Sequence, residues 1–443
     1  TVFLTQLQED TSSEYASALA ERDALKAEYL ARSAVNLTRL VFAIEPTIQA
    51  TLQPIYSLLG VKIQQTPVWD FLDTLLGPFN DAAATQSFLG TIGGDPTTAK
   101  NLGLAGGGRF AIVVVDEASK ININAAAFNN PTLRDRLAEQ LLGLMAPISY
   151  NPMFEGRDAD GQFSDRQTIC GAIVDWADSD PGGNETQFPC DPHATNAPST
   201  GPEDNFYQTI GLTYLRKNAA YDSLEELRLV RGISDDFWAT FVDPTPDDPK
   251  KRIMTVWGGK TVNVSSANAQ TLLAIACGSA PPDAELCTDP TQAASFIMAL
   301  TLAKSFVPIP LLGSPQDFID ALAGKGLLGQ LFTSLSIKPL TFKNANDVKK
   351  ALSGRTNLFS IYASGIVPRY RHTTTVKIHA VVDRDGASKL TDLSSWGSTT
   401  GGGTSTSGTS TASSSVAALG ANGTAPPFID MGAAGTVVYW RVE

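Results

Sequence analysis

The amino-acid sequence predicts an α+β fold: a long N-terminal helix packed on a sheet, with a large, mainly helical domain inserted into that sheet. Three observations carry this expectation. Residues 14–44 contain neither Gly nor Pro. Strand-like segments occur at 110–115 and again after Ser336, near opposite ends of the chain. Between them the apolar spacing is almost wholly helical.

The leading helix is rich in Ala, Leu, Glu, Lys and Arg, which lose little by being helical. At about 1.5 Å per residue it would span roughly 45 Å. Thr11, Ser12 and Ser13 are placed to cap its start, and Pro46 is expected to stop it. Leu37, Leu40, Val41 and Ile44 follow i, i+3, i+4, i+7 spacing and are expected to face the sheet. The first half carries Glu14, Glu21, Arg22, Asp23, Lys26 and Glu28 and reads as a protruding stalk. An ordinary amphipathic surface helix is the alternative.

Residues 47–105 read as mainly helical, punctuated by Gly77-Pro78 and by Gly93-Gly94-Asp95-Pro96. A turn at Gly106-Gly107-Gly108 leads into FAIVVV at 110–115, a continuous apolar run expected to be a fully buried strand. In the following DEASKININAAAF, Asn122 and Asn124 suit turn and cap hydrogen bonds. Residues 131–145 form an amphipathic helix. Residues 147–206 are rich in Pro, Gly, Asp, Asn and Thr, with one helix at 168–176. Two short helices around a Gly are expected in 218–241, burying Leu224, Leu227, Leu229 and Val230. A strand-like KTVNV, a capped helix from Ala267 and helices at 291–304 and 315–333 complete the block. From Ser336 the texture is β, at 334–342, 358–367, 371–383 and 435–443. A Gly/Ser/Thr-rich stretch, 394–425, reads as a flexible loop. The resulting division is 1–119, 120–335 for the insertion, and 336–443.

The formal net charge of −12 argues against nucleic acid or an anionic lipid surface as partner. It suits hard cations or a basic protein. Cys170, Cys190, Cys277 and Cys287 form two sequence-local pairs without a CxxC. Two short-loop disulfides, Cys170–Cys190 and Cys277–Cys287, are the simplest assignment and imply an oxidising compartment. Four reduced, buried thiols are the alternative. No apolar run reaches the roughly 18 residues that a spanning helix needs, and no signal peptide is visible. Thr1-Val2-Phe3-Leu4 is compatible with the last turn of an apolar segment lying before it.

Several motifs then fall into one order: YLARSAVNLTRLVF at 29–42, DEASKININAA at 116–126, GAIVDWADSD at 171–180, PEDNFY at 202–207, KNAAYDSLEELRLVRGI at 217–233, and KTVNVSSANAQTLLAI at 260–275. A Ser/Thr-rich loop and VVYWRVE close the chain. Together they resemble the large minor pseudopilin K family of the bacterial type II secretion system. The long loop and parts of 45–105 match poorly. The resemblance implies a pilin-like helix on an antiparallel sheet with an inserted α-domain. It implies a structural protein, not an enzyme, at the tip of the pseudopilus. Its partners would be the minor pseudopilins I and J, and possibly other pseudopilins. Family members begin with a prepilin-type cleavage site and a hydrophobic helix, neither of which is present here. The expectation is therefore the periplasmic portion of an inner-membrane-anchored protein.

The strongest candidate for chemistry is the acidic stretch Asp175-x-x-Asp178-x-Asp180, followed by Glu185 and, after a long loop, Glu203 and Asp204. Clustered carboxylates repel unless solvated or neutralised, and Ca²⁺ takes six to eight oxygen ligands. By residues alone, a wet acidic loop and a calcium site are equally good readings. The family resemblance favours one or two Ca²⁺ ions held by Asp175, Asp178, Asp180, Glu203 and Asp204. Asp158-x-Asp160-Gly161 imitates part of an EF-hand, but Gly156 and Gln167 occupy its first and twelfth positions, so it reads as a turn.

LRLVRGIS and the segment before Cys277-Gly278-Ser279 resemble helix-hairpin-helix turns lacking the second Gly. A periplasmic DNA-binding protein of an uptake pilus is the runner-up function. His193, His372 and His379 are the only histidines, and no nucleophile, zinc or phosphate-loop motif occurs. Tyr15, Leu19 and Leu25 on the leading helix are expected to face partner helices.

Overall fold

The computed structural model describes residues 2–58, 63–80, 107–128, 130–157, 161–179, 188–191, 205–306, 311–342, 344–369, 372–385 and 434–443. Helix α1 runs from Val2 to Leu58, 57 residues, and passes through Pro46 and Pro54. Thr11, Ser12 and Ser13 therefore lie inside the helix, and Pro46 does not end it. A mid-helix Pro costs about 3 kcal/mol through a lost N–H and a steric clash. Packing on both sides offsets this. Phe42, Ala43 and Glu45 are buried before Pro46, and Tyr56 is buried after it. Ile48 packs on the same core, and Gln49 Nε2 donates to the Gln64 carbonyl at 2.8 Å.

Eight strands follow among the described residues: β1 (Arg109–Asp116), β2 (Ile121–Asn122), β3 (Met254–Thr255), β4 (Val262–Asn263), β5 (Leu352–Ser353), β6 (Leu358–Pro368), β7 (Thr373–Asp383) and β8 (Thr436–Val442). Four of them make one sheet in the order β1-β6-β7-β8, antiparallel throughout. Strands from both ends of the chain thus share a sheet. The chain leaves it at Asp116 and rejoins it at Leu358.

α1 lies across one face of this sheet. Phe42, Val35 and Ala34 meet Phe110, Ile112, Phe359, Ile361 and Val382 in a single core, and the rings of Phe42 and Phe359 stack at 4.4 Å. The sheet-facing stripe is Ala27, Ala31, Ala34, Val35, Thr38 and Phe42. The stripe expected from spacing is one step off. Val41 is buried, but Leu37, Leu40 and Ile44 are only half-buried. The reason is proximity. A Cβ on Gly365 of β6 would stand 1.8 Å from the Ala27 carbonyl oxygen. At that approach only small side chains fit the seam, so Ala displaces Leu.

Three further expectations are corrected. β1 is buried on both faces only at its C-terminal end, where Val114, Val115 and Asp116 are all buried. Phe110, Ile112 and Val114 point inward to the core shared with α1, and Ala111 and Val113 point outward and are exposed. Residues 335–342 contain no strand: Ser336 has φ 61°, Pro339 lacks a donor, and Ile337 and Leu340 bury among helices. Leu229 is 43% exposed, unlike its neighbours Leu227 and Val230. The Gly93–Pro96 punctuation, Asp158, Asp160 and the loop 394–425 lie outside the described residues.

The inserted block has two cores. The first is built around α2 (Pro131–Met145), α3 (Arg166–Ala177) and Phe237, Phe241 and Ile253. The second is built around α4 (Ala269–Gly278), α5 (Pro290–Phe306), α6 (Pro315–Leu322) and α7 (Gly326–Ser334). α6 and α7 replace the single helix expected over 315–333, since Gly324 and Gly326 take φ of 78° and 69°. α2 and α4 join the two cores at a close crossing. A Cβ on Gly143 would meet the Ala274 carbonyl oxygen at 2.0 Å, and one on Gly278 the Glu139 carbonyl oxygen at 2.2 Å.

Candidate functional site

The DEASKININ segment at the end of β1 ties the sheet to the insertion. Asp116 Oδ1 accepts from the Ala118 amide at 2.8 Å and so starts the turn Glu117–Ser119. Its Oδ2 accepts from Asn263 Nδ2 at 2.8 Å and from the Ser266 hydroxyl. Burial pushes the Asp116 carboxyl up to about 6, with its hydrogen bonds opposing. Glu117 and Lys120 are both buried and pair at 3.2 Å, and the Thr255 hydroxyl donates to Glu117. Burial works to raise the Glu117 pKa, but the Lys120 charge and the donors Ser360 and Thr255 outweigh it, and the net shift is downward. Asn122 Nδ2 donates to the Gly258 carbonyl at 3.0 Å. Asn124 exchanges hydrogen bonds with the Tyr221 backbone at 3.0 and 2.7 Å. The asparagines thus bond turn backbone as their sequence context suggests. The buried acid–lysine pair escaped sequence reasoning. Its signal is two acids and a lysine abutting an apolar strand, where unpaired charge is prohibitive.

The acidic stretch begins at the C-terminal end of α3. Asp165 caps this helix by accepting from the Thr168 amide at 2.8 Å. Cys170 within α3 is bonded to Cys190, with Cα atoms 5.9 Å apart. The second disulfide, Cys277–Cys287, spans 5.6 Å. Both pairings are those expected. Asp175 is buried and accepts from the Phe188 amide at 2.9 Å. Asp178 forms an ion pair with Arg134 of α2, whose guanidinium sits 4.9 Å over the Phe188 ring. The stretch is therefore anchored at both ends: to α2 through Asp178 and to α3 through Phe188 and Cys190. Trp176 packs 6.1 Å from Tyr207, three residues after Asp204. Asp180, Glu185, Glu203 and Asp204 lie outside the described residues. Among the described residues no three His, Cys, Asp or Glu side chains converge on a metal position.

On α1, Tyr15 is 68% exposed and Leu25 55%, while Leu19 is half-buried. Tyr29, which the sequence reading passed over, is 62% exposed on the same side. By helical phase Tyr15, Leu25 and Tyr29 lie on the side away from the Ala27–Ala31–Ala34 seam, and Leu19 lies at about a right angle to it. Tyr15, Leu25 and Tyr29 form an exposed aromatic and aliphatic stripe on α1.

His379 lies on the sheet face away from α1, between Tyr362 (4.3 Å, stacked) and Tyr439 (5.3 Å), and bonds the Ser360 hydroxyl at 3.2 Å. Burial lowers its pKa to about 4. His372 precedes β7 and His193 is outside the described residues. Gly278, considered above as part of a DNA-binding turn, is in van der Waals contact with α2.

No helix among the described residues is long and apolar enough to cross a membrane. No protein family matches the chain, and no curated protein matches it. Among solved structures, the chain is similar to one in the crystal structure of the GspK–GspI–GspJ complex from the enterotoxigenic Escherichia coli type 2 secretion system. The identity is 13% and the TM-score 0.38, over 63% of this chain and 76% of that one.

Proposed function

We propose that this chain is a K-type minor pseudopilin, a structural and non-enzymatic subunit of the type II secretion pseudopilus. It assembles with minor pseudopilins I and J in the periplasm and supports protein export. The observation that carries this reading is the architecture. A 57-residue helix lies on a four-stranded antiparallel sheet, and the whole of 117–357 is inserted between two adjacent strands of that sheet. A rod of this kind docks beside other rods. The bulk set into its sheet leaves no room for a further subunit above it, so the chain caps the fibre. Tyr15, Leu19 and Leu25 supply the helix face for the partners. Co-expression with the I and J minor pseudopilins of the same secretion system tests this. Wild type should co-purify with both, and Leu19→Asp should not. Retention of the variant at wild-type yield would remove that face from the interface.

The same reading assigns one or two Ca²⁺ ions to Asp175, Asp178, Asp180, Glu203 and Asp204. The donor set is all oxygen, as Ca²⁺ requires. Arg134 pairs with Asp178, so an ion at Asp178 would compete with this guanidinium. Calcium at 100 times its dissociation constant stabilises by about 2.7 kcal/mol, so a chelator should lower the melting midpoint. Arg134→Gln should tighten calcium binding measured by calorimetry. An unchanged midpoint with chelator would return the stretch to a solvated loop.

A further inference from the structure

The geometry points to a second docking element, the outer edge of β8, unpaired among the described residues, as the seat of an extended strand from a neighbouring pseudopilin subunit. This rests on the pseudopilin reading above. Among the described residues β8 closes the sheet on one side, with β7 as its only neighbour. Lys377 and Glu443 exchange both backbone hydrogen bonds, at 2.9 and 2.8 Å. With the two-residue period of an antiparallel ladder, the N–H and C=O groups of Trp440 and Val442 then point away from β7. No backbone hydrogen bond to them occurs among the described residues. Such a row of donors and acceptors is a template for another strand.

Both faces of this edge are furnished for the side chains of an added strand. On the α1 side, Trp440 is 39% and Val442 44% exposed, and the Arg32 guanidinium lies 6.0 Å from the Trp440 ring. On the other side, a cleft of about 290 Å³ opens between the sheet and the insertion, with Tyr439, His379, Trp257 and Arg441 in its walls. The Trp257 and Tyr439 rings stand 5.2 Å apart. An added strand would send alternate residues to these two places: apolar ones over Trp440 and Val442, aromatic or long ones into the cleft. A net charge of −12 opposes the approach of a second copy of this chain, so the occupant is a different subunit.

Hydrogen exchange on the complex with the I and J pseudopilins tests this. In the free chain the Trp440 and Val442 amides should exchange fast and those of Arg441 and Glu443 slowly. In the complex all four should be slow. Val442→Pro removes an outward donor and no bond of the β7–β8 ladder, a placement an edge strand tolerates. It should weaken the complex about tenfold while the melting midpoint of the free chain stays put. Wild type that binds its partners with the Trp440 and Val442 amides still exposed would overturn the edge assignment and leave the pseudopilin reading intact. So would Val442→Pro that folds and binds as wild type. Protection of these amides that grows with the concentration of the chain alone would put a second copy there and also overturn it. Wild type that binds neither pseudopilin would remove the pseudopilin reading itself, and this inference with it.

Discussion

Gly365→Ala measures how the spine helix is seated. The new methyl would lie 1.8 Å from the Ala27 carbonyl oxygen, 2.7 Å from its carbon and 2.9 Å from the Ala31 nitrogen, all backbone atoms of α1. Since ordinary contact begins at 3.4 Å, the helix must lift by about 1.6 Å. A gap of about 1 Å already forfeits up to half of each dispersion contact, and the loss falls on Ala27, Leu30 and Ala31, which are buried here. Overpacking of this kind costs about 1–3 kcal/mol, and the gain in strand propensity from Gly to Ala returns less than about 1 kcal/mol. A net loss of about 2 kcal/mol raises local opening of α1 roughly 30-fold. Amide exchange over residues 24–38, followed by mass spectrometry, reads this directly. Gly108→Ala is the matched control. Its methyl would meet the Leu30 Cδ1 at 2.5 Å, the end of a side chain that can rotate. It should change exchange less than about fivefold. Equal protection in wild type and Gly365→Ala would refute the close seating of α1 on β6.

Gly278→Ala should lower the melting midpoint of the insertion more than Ala276→Gly, because its methyl would meet the Glu139 carbonyl oxygen at 2.2 Å; the reverse order by calorimetry would contradict the α2–α4 crossing. Cys170→Ser with Cys190→Ser removes a cross-link of sequence separation 20, worth about 3 kcal/mol on chain-entropy grounds. Urea unfolding followed by Trp fluorescence should show a matching shift. His379 has a folded pKa of about 4, below its unfolded value, so the unfolded chain binds more protons between about pH 6.5 and 4. The stability contributed by neutral His379 is full above that window and falls by up to about 3 kcal/mol as pH drops through it. Asp116, raised to about 6, works in the opposite sense over much of the same range. The stability difference between wild type and His379→Gln should therefore fall on acidification, and a pH-independent difference would show that burial does not depress His379.

Much of the fold was legible because it follows from neighbours a few residues apart. β6, β7 and β8 announce themselves by β-branched and aromatic runs, α2 and α4 by apolar spacing, and the disulfides by pairs that close short loops. The phase of α1 was not legible. Hydropathy ranks Leu37 and Leu40 above Ala27 and Ala31, yet a seam against Gly365 admits only the alanines. The acidic stretch was visible as composition, but not its pairing. Arg134 reaches Asp178 across a sequence separation of 44, and no local pattern marks that guanidinium as the partner.

By itself the sequence determined that a Gly- and Pro-free rod begins the chain, that strands at both ends can form one sheet, and that a helical block lies between them. These are properties of backbone propensity and periodicity, which act within a few residues. Only the tertiary structure decided that α1 continues through Pro46, that Glu117 and Lys120 are buried together, and that β8 is the last strand of the sheet among the described residues. Each of these depends on groups brought close from distant parts of the chain. Close packing and charge compensation act over a few ångströms in space, whatever the distance along the sequence.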